Sequence, residues 1–301
     1  MARKKDDSYQ SSMIEHPSLG GKIADCILII ICILVAFCSI IPMWHELMAS
    51  LSEPKELLKH EGLVAWPVGN VTFEGYKRIF SDSSIILGFI NTMIYVIGGT
   101  GLGYVLSVLG GFCFSRKTKL SPILIAICTF TMLFSGGTVP TYMVVRNLGM
   151  VNTRWSLIIP ACTSAMNAIM MMNAFMQVPH EYEEAAVMDG CGPIRMLFQV
   201  LLPQAKTMGM VLILQTAIAQ YNAWFDASIY VTNKKSCWPL QLWIKQMVAD
   251  NESFLLSANP DYNRYLIQFA VVIATTLPIL IALPFFQDKL EKGVIAGGIK
   301  G

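Results

Sequence analysis

The chain has 301 residues, 54% of them apolar and only 14% charged, with a formal net charge of +2 and a mean hydropathy of +0.53. Soluble domains carry about 25% charged residues, so this composition excludes an ordinary soluble protein. The small net charge, with no basic run longer than Arg3-Lys4-Lys5, excludes a nucleic-acid partner bound through its phosphates.

A helix needs about 20 mainly apolar residues to cross the hydrocarbon layer. Six such runs follow one another at 23–44, 84–111, 121–145, 155–178, 208–230 and 265–286. The first is too long for the apolar part of a secretory signal, and no A-x-A site follows it, so it reads as a retained span. The expected organisation is a tail, first span and extracellular loop over 1–83, a transport core over 84–286, and a cytoplasmic tail over 287–301. With the N-terminus inside, 12 Lys/Arg fall on the cytoplasmic side and 10 outside, which decides little. The dense cluster Arg116, Lys117, Lys119 in a very short connection, with Arg3, Lys4, Lys5 and Lys22, places both termini in the cytoplasm.

In the second span Gly99, Gly103, Ser107 and Gly111 recur every four residues and make a face that a neighbouring backbone can approach closely. In the third, Phe134-Ser135-Gly136-Gly137-Thr138-Val139-Pro140 joins flexible glycines to a residue without a backbone donor, which predicts a broken or kinked helix. The eight cysteines and four histidines are scattered without ligand spacing, which speaks against a metalloenzyme. No set of nucleophile, acid or base converges anywhere, so no catalytic residue and no cofactor is assigned.

Between the fourth and fifth spans, residues 179–203 form a distinct segment. Pro179 suits a first helical turn, and Glu181, Glu183 and Glu184 put negative charge at the positive end of the helix dipole. Asp189-Gly190 supplies a left-handed stop. Gly192-Pro193 starts a second helix whose Ile194, Leu197, Phe198 and Leu201 fall on one face. The reading is a helical hairpin outside the membrane, and amphipathicity alone leaves open a connector resting on the lipid surface.

The sequence of this hairpin resembles the EAA loop of binding-protein-dependent ABC importer permeases: E-A-A, three residues, G, nine residues, I-x-L-P. Glu184-Ala185-Ala186, Gly190, Val200, Leu202 and Pro203 keep every spacing, with Val in place of Ile. The resemblance implies a type I ABC importer transmembrane fold, all-α with six spans, whose first hairpin helix inserts in a cleft of a cytoplasmic ATPase. It gives the coupling role to Glu184, Ala185, Ala186, Asp189, Gly190, Leu202 and Pro203. No G-x-x-x-x-G-K-[ST] occurs, so ATP hydrolysis falls to a separate subunit.

Phe134–Gly137 through Pro140-Thr141-Tyr142, the turn Leu148–Thr153, and Asn222-x-Trp224-Phe225 are similar to carbohydrate-importer permeases of the MalG group. The tail from Phe285 to Gly301 is similar to its LplC/YtcP-like branch, associated with complex oligosaccharides or their uronic-acid derivatives. Tyr221 stands where the group commonly has Trp, and Lys206 where a proline often follows the loop. The implied assembly is a heterodimer with a homologous second permease, two cytoplasmic ATPase subunits and an extracellular solute-binding lipoprotein in a bacterial cell membrane. Its cargo is a carbohydrate.

Polar residues inside spans are costly unless they face protein or a cavity. Asn167, Asn173, Gln215, Gln220, Asn222 and Asp226 are such residues, and Tyr221 and Trp224 are aromatic platforms for sugar faces. Interhelical hydrogen bonding is the plainer reading of any single one, but Gln220, Tyr221, Asn222, Trp224 and Asp226 crowd within seven residues. Asn173, Gln220, Tyr221, Asn222, Trp224 and Asp226 are the substrate-path candidates. An importer of a non-carbohydrate small solute, or an ion-coupled secondary transporter, stays open as an alternative. The latter would call for paired broken helices in two repeated halves, and no internal repeat is visible.

Overall fold

The computed structural model describes residues 19–116, 118–255 and 262–298, and every regular element among them is helical. Arg3, Lys4, Lys5, Lys117 and the last three residues lie outside the described residues. Helix α1 (Leu19–Ser50) is strongly apolar, and the span it contains is not buried against the rest of the chain at all. Only its last turn joins a core, where Met48 and Ala49 meet Leu57, Val64, Leu266 and Phe269.

The stretch expected as a plain external loop is folded. Short helices α2 (Pro54–Lys59) and α3 (Glu74–Ser81) sit over this core. Side chains satisfy the backbone between them: the Trp44 indole donates to the Ala65 carbonyl at 2.9 Å, and His45 Nδ1 accepts from Val64 N at 2.9 Å. Gly75 on α3 lies so close to the last helix that an added Cβ would stand 3.0 Å from that of Ala270.

Helix α4 (Ser83–Ser115), capped by Asp82 through the Ser84 amide at 2.8 Å, is the axis of the bundle. Its small residues meet several neighbours in turn rather than a single helix. Gly88 faces Leu240 and Trp243, Gly99 faces Gln220, Gly103 faces the Cys162 carbonyl, and Gly111 faces Met171 and Met172. Gly99, Gly103, Ser107 and Gly111 are all buried, as the four-residue repeat predicts.

The third run breaks where the glycines stand. Helices α5 (Ser121–Leu133) and α6 (Thr138–Asn147) meet at 117° across Phe134–Gly137, with Gly137 at φ +83°. The fourth run, expected to be continuous, is two helices, α7 (Trp155–Cys162) and α8 (Ala165–Met176), bent by 43°. Pro160 withholds one donor there, and the Ser164 hydroxyl restarts the helix by accepting from Asn167 N. The hairpin follows as α9 (His180–Met188), α10 (Pro193–Met196), a π-helical turn (Leu197–Leu201) and α11 (Leu202–Gln204).

The fifth run is corrected most. Helix α12 (Lys206–Tyr221) ends nine residues before the expected limit, and a separate α13 (Trp224–Tyr230) begins after Asn222-Ala223. Its 16 residues span about 24 Å, short of the roughly 30 Å hydrocarbon thickness. A 3₁₀ turn and α14 (Leu240–Leu255), an element missing from the sequence reading, lead to α15 (Tyr262–Gly298). The sixth span lies within α15 as Leu266–Phe285, and the helix runs on into the expected tail. Three single helices are long and apolar enough to cross a membrane, and three bent pairs reach that limit only when each is taken together.

Two cores mark the two ends of α4. Near its C-terminus Val108, Met171, Phe175, Ala186, Leu197, Leu201 and Leu212 gather beneath the hairpin. Near its N-terminus Tyr95, Val145, Leu157, Tyr230, Val231 and Trp238 form the other.

Candidate functional site: the hairpin and the broken fifth span

Pro179 precedes α9 as its N-cap, at φ −57° and ψ 139°, one position before the expected first turn. The helix closes as Asp189 N donates to Ala185 O at 3.0 Å and Gly190 N to Val187 O at 3.0 Å. Gly190 then takes φ +76°, and Cys191 N returns to Ala186 O at 2.9 Å. The left-handed stop therefore falls on the expected residue.

The second arm departs from a regular helix. Pro203 has no N–H to offer the carbonyl four residues back, and Leu202 N instead reaches Leu197 O, five residues back. This wider turn splits the expected apolar face. Leu197 and Leu201 are buried at 2% and 0% exposure, whereas Ile194 and Phe198 face outward at 75% and 53%. Met196 takes an inward place instead.

One ion pair ties the hairpin to the axis of the bundle. Arg116, just beyond α4, donates from Nη1 to Glu183 Oε2 at 2.8 Å and from Nη2 to Oε1 at 3.0 Å. The guanidinium also lies 4.8 Å from the Phe112 ring centroid. The Arg116 hydrogen bond holds the Glu183 carboxyl below its ordinary value against the opposing effect of partial burial. Ser115, Arg116, Phe175, Met176, Val178, His180 and Glu183 line a recess of about 270 Å³ beside the pair.

The predicted coupling residues divide between two faces. Ala186 is buried in the chain's own core, and Leu202 packs partly against it. Glu184, Ala185, Asp189, Gly190 and Pro203 are exposed. So are the apolar neighbours Tyr182, Val187 and Met188, the last at 87%.

The path candidates do not form one cluster. Asn173 is exposed on α8, toward the hairpin end, and Gln215 is exposed on α12. Asn167 donates from Nδ2 to Thr216 Oγ1 at 3.1 Å and joins α8 to α12. Tyr221 is buried, its hydroxyl donating to Thr275 O at 2.7 Å, so it ties α12 to α15. Gln220 is 3% exposed against Gly99, and neither carboxamide atom has a partner among the described residues.

Asn222, Trp224 and Asp226 stand around the break rather than along one span, with Trp224 N donating to Asn222 O at 2.8 Å. Asn222 caps α12, its Nδ2 donating to Ile218 O at 3.1 Å, while Asp226 and Phe225 are exposed on α13. Trp224 meets Phe225 edge-on at 5.6 Å.

Sequence reasoning missed Lys245, whose Nζ sits 3.5 Å over the Trp224 ring. Leu240, Trp243, Ile244, Met247 and Val248 repeat at helical spacing, a signal that would have found its helix. Also missed was a buried polar belt at this end. Asn91 Nδ2 donates to Ser236 O at 2.8 Å and Trp238 O at 3.1 Å, Arg154 Nη2 donates to Asn91 Oδ1 at 2.9 Å, and the Tyr95 hydroxyl donates to Cys237 O at 2.6 Å.

Residues 103–296 match the family described as binding-protein-dependent transport system inner membrane component. Protein LplC of Bacillus subtilis (strain 168) is 30% identical over 293 residues, 95% of this chain and 98% of the relative. The polygalacturonan/rhamnogalacturonan transport system permease protein YtcP of the same organism is 29% identical over 277 residues, covering 89% and 95%. A chain in the crystal structure of a bacterial ABC transporter involved in the import of the acidic polysaccharide alginate superposes with a TM-score of 0.80 at 26% identity, covering 90% of this chain and 98% of that one. These likenesses run through the broken helices and the hairpin alike. They bear out both the all-helical type I importer fold and the resemblance to the LplC/YtcP branch: the chain belongs to the binding-protein-dependent transport system inner membrane components, the permeases of ABC importers.

Proposed function

We propose that this chain pairs with a homologous second permease to form the path of a carbohydrate importer, and that α9 docks into two-subunit ATPase machinery in the cytoplasm. An extracellular solute-binding lipoprotein delivers the cargo. The carbohydrate reading draws on relatives described as transport permeases for polygalacturonan/rhamnogalacturonan and diacetylchitobiose, and on the alginate importer. Both termini lie in the cytoplasm with the hairpin, in keeping with the basic cluster around Arg116.

The observation that carries the docking role is the division of α9 into an anchored and an open face. Ala186 and the Arg116–Glu183 pair fix one side to the bundle. Ala185 and Met188 lie on the opposite side, uncovered, and the apolar Tyr182 and Val187 are exposed at its two edges. Exposed apolar surface rimmed by charge marks a protein contact, and a docked helix held at both the core and the ion pair passes displacement to α4. Glu184, exposed beside this face, offers a charge-assisted hydrogen bond to the partner.

The test is a reconstituted importer carrying Glu184→Lys. Expected is normal membrane insertion with ATP hydrolysis no longer stimulated by loaded binding protein, and uptake lost. Wild-type uptake, or an absence of crosslinks from Ala185→Cys to the ATPase, would remove the hairpin from the mechanism.

A further inference from the structure

Helices α8 and α12 run antiparallel beside α4. Gly103 faces Cys162 and Gly111 faces Met171, so the fourth run follows the direction of α4, whereas Gly99 faces Gln220 and Tyr104 meets Gly209, so α12 runs against it. The Asn167–Thr216 hydrogen bond links the two helices, and on each the residue just before the link, Met166 or Gln215, is exposed. One residue is about 100° of helical turn, and in antiparallel neighbours equal offsets from a shared contact point to the same side. The exposed sides of α8 and α12 therefore make one face.

That face carries a file of carboxamides. On α8, Met166, Met170, Asn173 and Gln177 recur at i, i+4, i+7 and i+11, and on α12 Gln215 and Asn222 stand seven residues apart. At 1.5 Å per residue from the link, Asn222 lies about 9 Å toward the break, Gln215 beside the link, and Asn173 and Gln177 about 9 and 15 Å toward the hairpin. All four are exposed. Among the described residues the side chains of Asn173, Gln177 and Gln215 bond nothing, and Asn222 engages Nδ2 alone. No Asp, Glu, Lys, Arg or His occurs over 163–177 or 207–222.

Hydrocarbon does not suit this face, because polar side chains in a span are costly against lipid. A close-packed helix of another subunit does not suit it either, since such interfaces use small residues, and here those stand on α4. A carboxamide both donates and accepts, so it pairs with a hydroxyl in either sense. The methionines between add a soft, adaptable apolar surface.

We infer that the α8–α12 face is this chain's wall of the transport path, and that Asn222, Gln215, Asn173 and Gln177 pass the cargo's hydroxyls from the break toward the hairpin. The inference rests on the carbohydrate-importer reading above and assigns its contacts. The buried Gln220 and Tyr221 fall outside the wall.

The experiment uses the whole importer, both permeases with ATPase and binding protein, in proteoliposomes, with trigalacturonate, diacetylchitobiose and maltotriose as cargo. Asn173→Cys and Gln215→Cys are treated with a charged, membrane-impermeant thiosulfonate, and the modified peptides are identified by mass. Ile127→Cys, on an exposed apolar position of α5, is the control. Expected is modification of the first two and not of the control. Asn173→Leu and Gln215→Leu should each lower uptake about tenfold without lowering the unfolding temperature, whereas Asn173→Gln and Gln215→Asn should retain most of it. Unmodified thiols overturn the inference, and crosslinks from them to the second permease would make the face a contact between permeases. Equal modification of the control overturns it too, as does wild-type uptake by both leucine variants, and each of these results leaves the carbohydrate reading standing. If the unaltered importer takes up none of the sugars, the carbohydrate reading falls and the hydroxyl contacts fall with it.

Discussion

Arg116 grips Glu183 with two parallel hydrogen bonds across 67 positions of sequence, and so fastens the hairpin to the end of α4. Both side chains are less than a third exposed, and the geometry is the bidentate one that makes arginine–carboxylate pairs strong. Glu183→Gln keeps the shape and removes the charge. It should cost about 1–3 kcal/mol of local stability, read as faster amide exchange in α9, with a fall in coupled uptake.

The same pair sets a pH dependence. Because the folded Glu183 carboxyl is held below its ordinary value of 4.5, its stabilisation is complete above that value and is lost as the pH falls through the lower, folded one. Hairpin protection should therefore stay flat near neutrality and drop only in acid. Amide exchange against pH checks this, and Glu183→Gln should abolish the acid limb.

Gly190 has open space around it: an added Cβ would meet nothing within 4 Å. Any penalty there comes from its φ of +76° alone. Gly190→Val should cost upwards of about 1–2 kcal/mol and uncouple uptake from ATP hydrolysis, whereas Gly190→Asn, which tolerates this conformation, should retain most activity. Equal uptake by both variants would contradict a role for the turn.

Two glycines of α4 should respond differently to enlargement. At Gly111 an added Cβ would stand 2.8 Å from the Met172 backbone nitrogen, which cannot yield. At Gly99 it would strike Nε2 at the end of the Gln220 side chain, which can swing away. Gly111→Ala should destabilise by about 1–3 kcal/mol and Gly99→Ala by less, with Gln220→Ala rescuing the latter. Thermal unfolding in detergent separates the two.

Asn91 holds two loop carbonyls and one guanidinium at once. Asn91→Leu strands all three and should cost about 2–4 kcal/mol, with the loop from Val231 to Pro239 becoming the first site of proteolytic cleavage. An unchanged cleavage pattern would show that the Tyr95 hydroxyl on Cys237 O and the Trp238 indole N–H on Val231 O, at 2.6 Å, hold the loop alone.

What could be read in the sequence was local. Gly190 announces its left-handed stop, the Gly136-Gly137 pair announces a break, and hydropathy gives six apolar runs, because each property belongs to a few adjacent residues. The bend at Thr163-Ser164 has a local cause in Pro160 and Ser164, but the end of α12 is held from far away, by the Thr275 carbonyl that the Tyr221 hydroxyl reaches. The π turn misled the face analysis, since a repeat of 3.6 places Phe198 inside and the wider turn puts it out. The lysine over Trp224 was not legible, because it lies on a helix too polar to be taken for a span.

Only Ala205, itself buried, separates the second arm of the hairpin from α12, and the two meet at 83°. That corner is braced from both sides, Ala205 N donating to Leu201 O at 2.9 Å and Gly209 N to Ala205 O at 3.1 Å. Tipping the outer limb must therefore swing the inner one, as in a bell crank, and its far tip is the gap at Asn222-Ala223, about 24 Å away. The place where the chain departs from a continuous rod is thus where any such stroke would be released, beside Trp224.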